Sequence, residues 1–246
     1  MFLIDDIKIP QTLAVEKDFI VVYKPPRLHS APLAKSADGE TLLHWCIKEF
    51  PEVADLPGRK AGEGGLLHRL DYETQGLVLL ARNRAGMESL LEQQGEGKII
   101  KEYSALAAKN ETLLPGFPEK FTTNHHESTR KIQSDFRPYG PGRKTVRPVP
   151  GKNYTTEILD KSLDTGEGFV SLQLRIWKGF RHQIRAHLAW FGMPILNDRL
   201  YGGAPYGSGL LALRAYSLLL SDPSSGEKKL YSIPVYLPSD FRREVK

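Results

Sequence analysis

Only one cysteine, Cys46, occurs in the 246 residues. A disulfide within the chain is excluded, and so is a zinc site built on cysteines; a single thiol fits a reducing compartment. No window reaches the roughly 18 uninterrupted apolar residues of a membrane span. The opening MFLIDDIKIPQTL has no basic stretch followed by an apolar run, so it does not read as a signal peptide. Charge of one sign is in small excess: 34 Lys plus Arg against 29 Asp plus Glu give +5. That balance permits a polyanionic partner without demanding one. These features predict a soluble, cytoplasmic protein. There is no internal repeat and no convincing linker, so one compact domain over 1–246 is expected.

Several catalytic signatures are missing as well. Gly62-Glu63-Gly64-Gly65 lacks the Lys-Ser/Thr of a nucleotide-binding loop and follows no predicted strand. Tyr206-Gly207-Ser208-Gly209 lacks the first Gly of a nucleophile elbow. His182 and His187 are five apart, about 140° of net rotation on a helix. Zinc helices use an i, i+4 pair instead. His125-His126 has no ligand pattern nearby. A metal site is therefore not expected.

What is present is a mixture of strand and helix patterns. Phe19–Tyr23 is β-branched and aromatic and stops at Lys24-Pro25-Pro26, as a strand entering a turn does. Thr41–Phe50 has helical spacing with Thr41 as cap, and 51–65 reads as a loop. Gly76–Ala81 predicts a buried strand. Asn83 predicts the cap of a helix ending near Gly95 or Gly97, and a strand follows around Ile99–Ala108. Residues 124–153 carry seven Lys or Arg and two acidic residues, seven minus two being +5. With their Pro and Gly they read as an irregular basic segment, either a solvated loop or a polyanion contact. Val170–Ile176 alternates apolar and polar residues, the mark of a half-buried strand. Tyr154–Leu159 is a strand that could pair with it through a turn at Asp164–Gly168. From Phe180 a helix is expected, with Phe180, Ile184, His187, Leu188 and Phe191 on one side and Gly192 as its stop. Late strands span about Leu210–Leu220 and Lys229–Val235. Strands and helices are interspersed without regular βαβ alternation, which predicts an α+β fold with a mainly antiparallel sheet.

One group of charged residues has chemical interest. Arg69 and Asp71 lie on a segment leading into the strand at Leu77–Leu80. Arg181 and Arg185 are i, i+4 on the expected helix, beside its apolar stripe. A guanidinium there must find an anion, a nearby Asp or an RNA phosphate. Spacing alone favours an ordinary ion pair between loop and helix.

Four separated segments bear on this choice. His68-Arg69-Leu70-Asp71-Tyr72-Glu73-Thr74-Gln75-Gly76 resembles the H-R-L-D-x-x-T-S-G motif of RluA-type pseudouridine synthases. Gly179-Phe180-Arg181-His182-Gln183-Ile184-Arg185-Ala186-His187 is similar to their G-R-x-H-Q-[IL]-R-x-H. It runs on into Gly192-Met193-Pro194-Ile195-Leu196-Asn197-Asp198-Arg199-Leu200-Tyr201-Gly202, like the family's G-x-P-I-x-x-D-x-x-Y-G. Lys101-Glu102-Tyr103 resembles the K-x-Y between them, and Lys24-Pro25 the early K-P. The likeness runs from about residue 18 to 238, in the family's order. Four positions depart from the pattern: Gln75 for Ser, Phe180 for Arg, Arg27 for the usual Gly after K-P-x, and Arg214 where many relatives have His. Many relatives carry a small N-terminal RNA-binding domain; about 18 residues precede the matching region here, so that domain is expected to be absent.

The resemblance implies a pseudouridine synthase catalytic fold with flanking helices and a central cleft. It implies isomerisation of a uridine in structured RNA, rRNA or tRNA, with detachment of uracil from C1′ and reattachment through C5. The reaction has no net redox and consumes no water, so no cofactor or metal is expected. By the same resemblance Asp71 is the catalytic carboxylate, attacking C1′ or C6 or assisting elimination at C2′. Arg185 pairs with that carboxylate, which favours its ionised form. Tyr103 stacks on the base and relays a proton, and Ile184 packs beside it. Arg69 fills the place vacated by the flipped base. Lys24, Arg181 and His182, with 124–153, contact the RNA backbone. RNA is the only partner implied, and a monomer is the default. A catalytically inactive RNA-binding relative is the alternative, though it would be expected to lose Asp71, Tyr103 or Arg185. A nuclease using His68, Asp71 and His182 is a further rival.

Overall fold

The computed structural model describes residues 8–32, 39–58, 62–110, 112–119, 131–162 and 168–235, with the side chains of 161 and 162 excepted. In chain order these form β1 Gln11–Val15, β2 Phe19–Lys24, α1 Leu42–Glu49, β3 Gln75–Ala81, α2 Arg84–Gly95, β4 Ile100–Ala108, β5 Lys131–Tyr139, β6 Thr145–Ser162, β7 Phe169–Ile176, α3 Gln183–Trp190, β8 Leu213–Ser221 and β9 Lys228–Ser232. The chain divides into two compact units, Met1–Lys101 with Ala215–Pro234 and Glu102–Arg214 with Val235–Lys246.

In the first unit β2 pairs antiparallel with β1 and with β3, β3 neighbours β8, and β8 pairs antiparallel with β9. Every residue of β2 and β3 is buried. That is why both read as unbroken apolar runs: neither face is wet, so no alternation appears. Phe19, Val21, Leu77, Leu79, Met87 and Leu90 share one core with Leu218 and Leu220. Both predicted caps are made. The Thr41 side chain accepts from the His44 amide at 3.2 Å and that of Asn83 from the Gly86 amide at 2.8 Å, satisfying N–H groups that a helix start leaves unpaired. The expected loop at 51–65 holds a 3-10 turn, Pro51–Asp55; 59–61 fall outside the described residues.

Two backbone conformations in this unit explain motif residues. Gly76 has φ +127°, and a Cβ there would sit 2.2 Å from the Ala215 carbonyl oxygen. Only glycine meets both conditions. Arg27 has φ +60°, in the turn after Lys24-Pro25-Pro26. A glycine at this place, as the family pattern has, would adopt that backbone without strain.

In the second unit the strands run β4-β7-β6-β5. β6 pairs antiparallel with β7 on one side and with β5 on the other. Here the sequence expectation is corrected. The described part of the basic segment, 131–153, forms a ladder interrupted by one bulge, β5 against the first half of β6, with Phe136 opposite Pro148 and Tyr139 opposite Thr145. Residues 124–130 lie outside the described residues. Proline argues against a central strand because it lacks a ladder N–H. Pro148 and Pro150 are accommodated because β7 pairs only with Glu157–Ser162, leaving the other edge of this stretch without β7. The register shift at Ser134/Asp135 absorbs Gly151, whose φ is +155°. The Asp135 carboxylate then accepts from the Asn153 backbone and side-chain N–H at 3.1 and 3.0 Å. The β6–β7 pairing is as expected; 163–167, most of its predicted turn, are not described.

α3 also differs from expectation. It starts at Gln183, not Phe180, and all eight of its residues are buried. His182, in the left-handed region at φ +55°, is its N-terminal flank. The α+β class with mainly antiparallel pairing is otherwise the one predicted.

Candidate active site

Asp71 sits in a turn tied down on both sides. Before it, Leu70 exchanges two hydrogen bonds with Ser30: the hydroxyl donates to the Leu70 carbonyl at 2.8 Å and accepts from its amide at 3.0 Å. The segment leading to Leu70 runs beside β3. Leu66 bridges Leu80, the Leu67 amide donates to the Leu79 carbonyl at 3.0 Å, and the Leu79 amide donates to Nε2 of His68 at 3.2 Å. After Asp71, the Thr74 amide donates to the Asp71 carbonyl at 3.1 Å. Asp71 is half-buried.

Lys24 closes the turn from below. Its side chain has no exposure, and Nζ donates to the carbonyls of Pro25, Leu28 and Tyr72 at 2.9, 2.8 and 3.4 Å. Burial pushes the ammonium down to about 7, against the opposing pull of the Asp71 and Glu73 carboxylates. The expected contact of Lys24 with RNA backbone is therefore corrected: the ammonium lies beneath the Asp71 turn, and its hydrogen bonds hold the polypeptide. Arg69 does reach solvent. Its side chain is 50% exposed and faces the Glu63 carboxylate at 3.1 Å.

The second unit holds the other predicted residues. Tyr103 lies on β4, and Tyr103, Ile184 and Arg185 are all buried. Arg185 forks onto Asp198, Nε to Oδ2 at 2.7 Å and Nη2 to Oδ1 at 2.9 Å. The pair is 6% and 0% exposed. This uses two of the five guanidinium N–H groups in the planar geometry that suits a carboxylate. The sequence reading gave Asp198 no role, although it is the Asp of the matched G-x-P-I-x-x-D segment. The signal was present; what was lacking was the fold of the turn that presents it. In that turn Asn197, at φ +65°, donates to the Tyr206 and Leu210 carbonyls at 2.8 and 2.7 Å.

Arg181 is not on the helix with Arg185. It precedes α3, and its Nη2 donates to the Arg143 and Thr145 carbonyls at 2.8 and 3.1 Å. It binds the β5–β6 turn while remaining exposed. Phe180, where the family pattern has Arg, stacks on Phe136 with centroids 5.1 Å apart and planes 10° off parallel, and packs against Tyr154. It braces the hairpin through apolar contact. His187 is fully buried, with Nε2 at 2.9 Å from the Ser134 hydroxyl and Nδ1 at 2.8 Å from that of Thr156. Burial pushes its imidazole down to about 3. Among the described residues no three His, Cys, Asp or Glu are grouped as a metal would need, and no helix is long and apolar enough to cross a membrane.

A family model described as RNA pseudouridylate synthase matches residues 18–190. The chain belongs to the RNA pseudouridylate synthase family, in agreement with the RluA-type motifs. It is similar to the ribosomal large subunit pseudouridine synthase D of Haemophilus ducreyi, 30% identical over 240 residues, covering 92% of this chain and 66% of that one. The corresponding protein of Yersinia pestis is 31% identical over 199 residues, covering 80% and 54%. The chain thus spans about half to two-thirds of the length of these curated relatives. Among solved structures, the human RNA pseudouridylate synthase domain containing 1 superimposes with a TM-score of 0.61 at 21% identity, covering 94% of this chain and 86% of the other. Domain containing 4 gives 0.57 at 19%, covering 92% and 88%. These two support the fold.

Proposed function

We propose that the protein isomerises a uridine of structured RNA to pseudouridine, with Asp71 as the catalytic carboxylate. The observation that carries this reading is the Asp71 turn itself: a matched motif whose half-buried aspartate stands on a backbone held by Ser30, Thr74 and Lys24. A carboxylate is a weak nucleophile and gains from being positioned in advance. Arg185 is the arginine that the matched motif assigns to this reaction. Tyr103 and Ile184 receive the flipped base, and Arg69 braces the gap left in the RNA. Phosphates are met by the exposed cations of the β5–β6 hairpin, with Arg181 and His182 beside its turn.

The family match runs from residue 18 in the first unit to 190 in the second, which supports a single catalytic domain built from both. The relatives' names direct the first substrate test to large-subunit ribosomal RNA, with tRNA next. A cytoplasmic monomer with RNA as its partner completes the proposal.

The test is pseudouridine mapping of total RNA from cells with and without the gene, complemented by wild type or by Asp71→Asn. A site should vanish in the deletion and return with wild type alone. No lost site, or rescue by Asp71→Asn, refutes the assignment.

A further inference from the structure

Tyr201 is buried to 1% exposure, yet its hydroxyl is engaged three times. The Val146 amide donates to it at 2.8 Å, it approaches the Val146 carbonyl at 3.2 Å, and Nδ1 of His182 lies at 3.1 Å. A phenol has one proton to give. All three contacts are satisfied together when His182 carries its proton on Nδ1 and donates it, while the hydroxyl donates to the Val146 carbonyl. Val146 follows the turn that carries Arg143 and Lys144, at the start of β6. The Arg181 bonds to Arg143 and Thr145 tie the same turn to the start of α3.

The ring of Tyr201 serves a second group. The guanidinium carbon of Arg185 stands 5.3 Å from its centroid, within the range of cation–π attraction. The Tyr201 amide donates to the Asp198 carbonyl at 3.2 Å, and Asp198 takes the Arg185 fork. Hydroxyl and ring therefore face different partners, the basic hairpin and the buried arginine.

We propose that Tyr201 is a positioning residue that joins the β5–β6 hairpin to Arg185: its hydroxyl clasps the hairpin and its ring carries the guanidinium. This rests on the proposed function, in which the hairpin meets RNA phosphate and Arg185 serves the reacting carboxylate. A hairpin seated on RNA would thereby be held in one register with the arginine.

Two variants separate the halves. Tyr201→Phe removes the clasp and keeps the ring; Tyr201→Leu removes both. In Tyr201→Phe, hydrogen exchange at the Val146 amide should accelerate at least tenfold. KM for RNA should rise at least threefold, with kcat affected less than KM. In Tyr201→Leu, kcat should fall at least a further tenfold. Thermal melts of both variants give the folded fraction by which rates are corrected. A purely structural tyrosine would lower the folded fraction and leave the corrected kcat and KM alone, which overturns the proposal. Unchanged Val146 exchange and KM in Tyr201→Phe overturn it too, as does a corrected kcat no lower in Tyr201→Leu than in Tyr201→Phe. The exchange measurement needs no substrate, so it stands apart: wild type that forms no pseudouridine refutes the proposed function, whereas normal exchange in Tyr201→Phe refutes the clasp.

Discussion

Replacing Asp198 with Ala tests how the buried arginine is held. The substitution takes a carboxylate with no side-chain exposure from a guanidinium that is 6% exposed. It also removes the acceptor 3.2 Å from the Leu200 amide. Breaking a buried pair from one side typically costs about 3–5 kcal/mol, because the remaining charge keeps its burial and loses its carboxylate. With a urea m-value of about 2–3 kcal/mol per molar, the unfolding midpoint should fall by roughly 1–2.5 M. Circular dichroism in a urea titration reads this directly. Replacing both partners, Arg185→Met with Asp198→Leu, removes the stranded charge and should restore stability to within about 1 kcal/mol of wild type. Pseudouridine formation should not return with it, since the cation is gone. A midpoint shift below about 0.3 M in Asp198→Ala would refute the reasoning. So would a double variant no more stable than the single one.

Two buried titratable groups each make stability rise with pH, in different windows. His187 stays neutral in the folded protein down to about 3, while an unfolded histidine takes up its proton below about 6.5. Its contribution is complete above about pH 6.5 and is lost at up to about 1.4 kcal/mol per unit as pH falls toward 3. Urea titrations at pH 6, 5 and 4 should show a shallower decline in His187→Asn; equal slopes would count against a neutral His187. For Lys24 the folded value is about 7 and the unfolded value about 10.4. The unfolded state binds the extra proton between these limits, so the group adds stability as pH rises through the window, again up to about 1.4 kcal/mol per unit. Wild type should gain on Lys24→Met between pH 7.5 and 9.5, and parallel curves would show the ammonium to be solvated. Gly76→Ala should cost about 2–5 kcal/mol, combining overpacking against the Ala215 carbonyl with backbone strain at positive φ; a loss below about 1 kcal/mol by thermal melt would contradict the close approach.

The elements legible in the sequence are those whose cause is local. The Phe19–Tyr23 and Gly76–Ala81 runs announce buried strands because neither face needs a polar residue. Thr41 and Asn83 announce helix starts because a cap acts within three residues. Asp71 was legible through its motif; composition and spacing left it as one half of an ordinary ion pair. The β5–β6 hairpin was hidden because Pro148, Pro150 and Gly151 break the alternation of a strand, and they are tolerated only where β7 has ended. The spacing predicts α3 from Phe180 because Phe180 and Arg181 continue its pattern, whereas their contacts belong to the hairpin and the helix starts at Gln183.

By itself, then, the sequence determined most of the strand and helix segments and the α+β class, which follow from short-range pattern, while the carboxylate of interest came from the resemblance of its motif. Tertiary structure decided where the charges go. Lys24 is an example: the resemblance points it at RNA backbone, and in the fold it is buried, with the carbonyls of Pro25, Leu28 and Tyr72 turned toward it. Arg185 meets Asp198, thirteen residues away, because the Asn197 turn returns the chain to the helix. A charge in water needs no particular partner, whereas a buried one requires a specific one. That requirement is met by groups brought together only when the chain has folded.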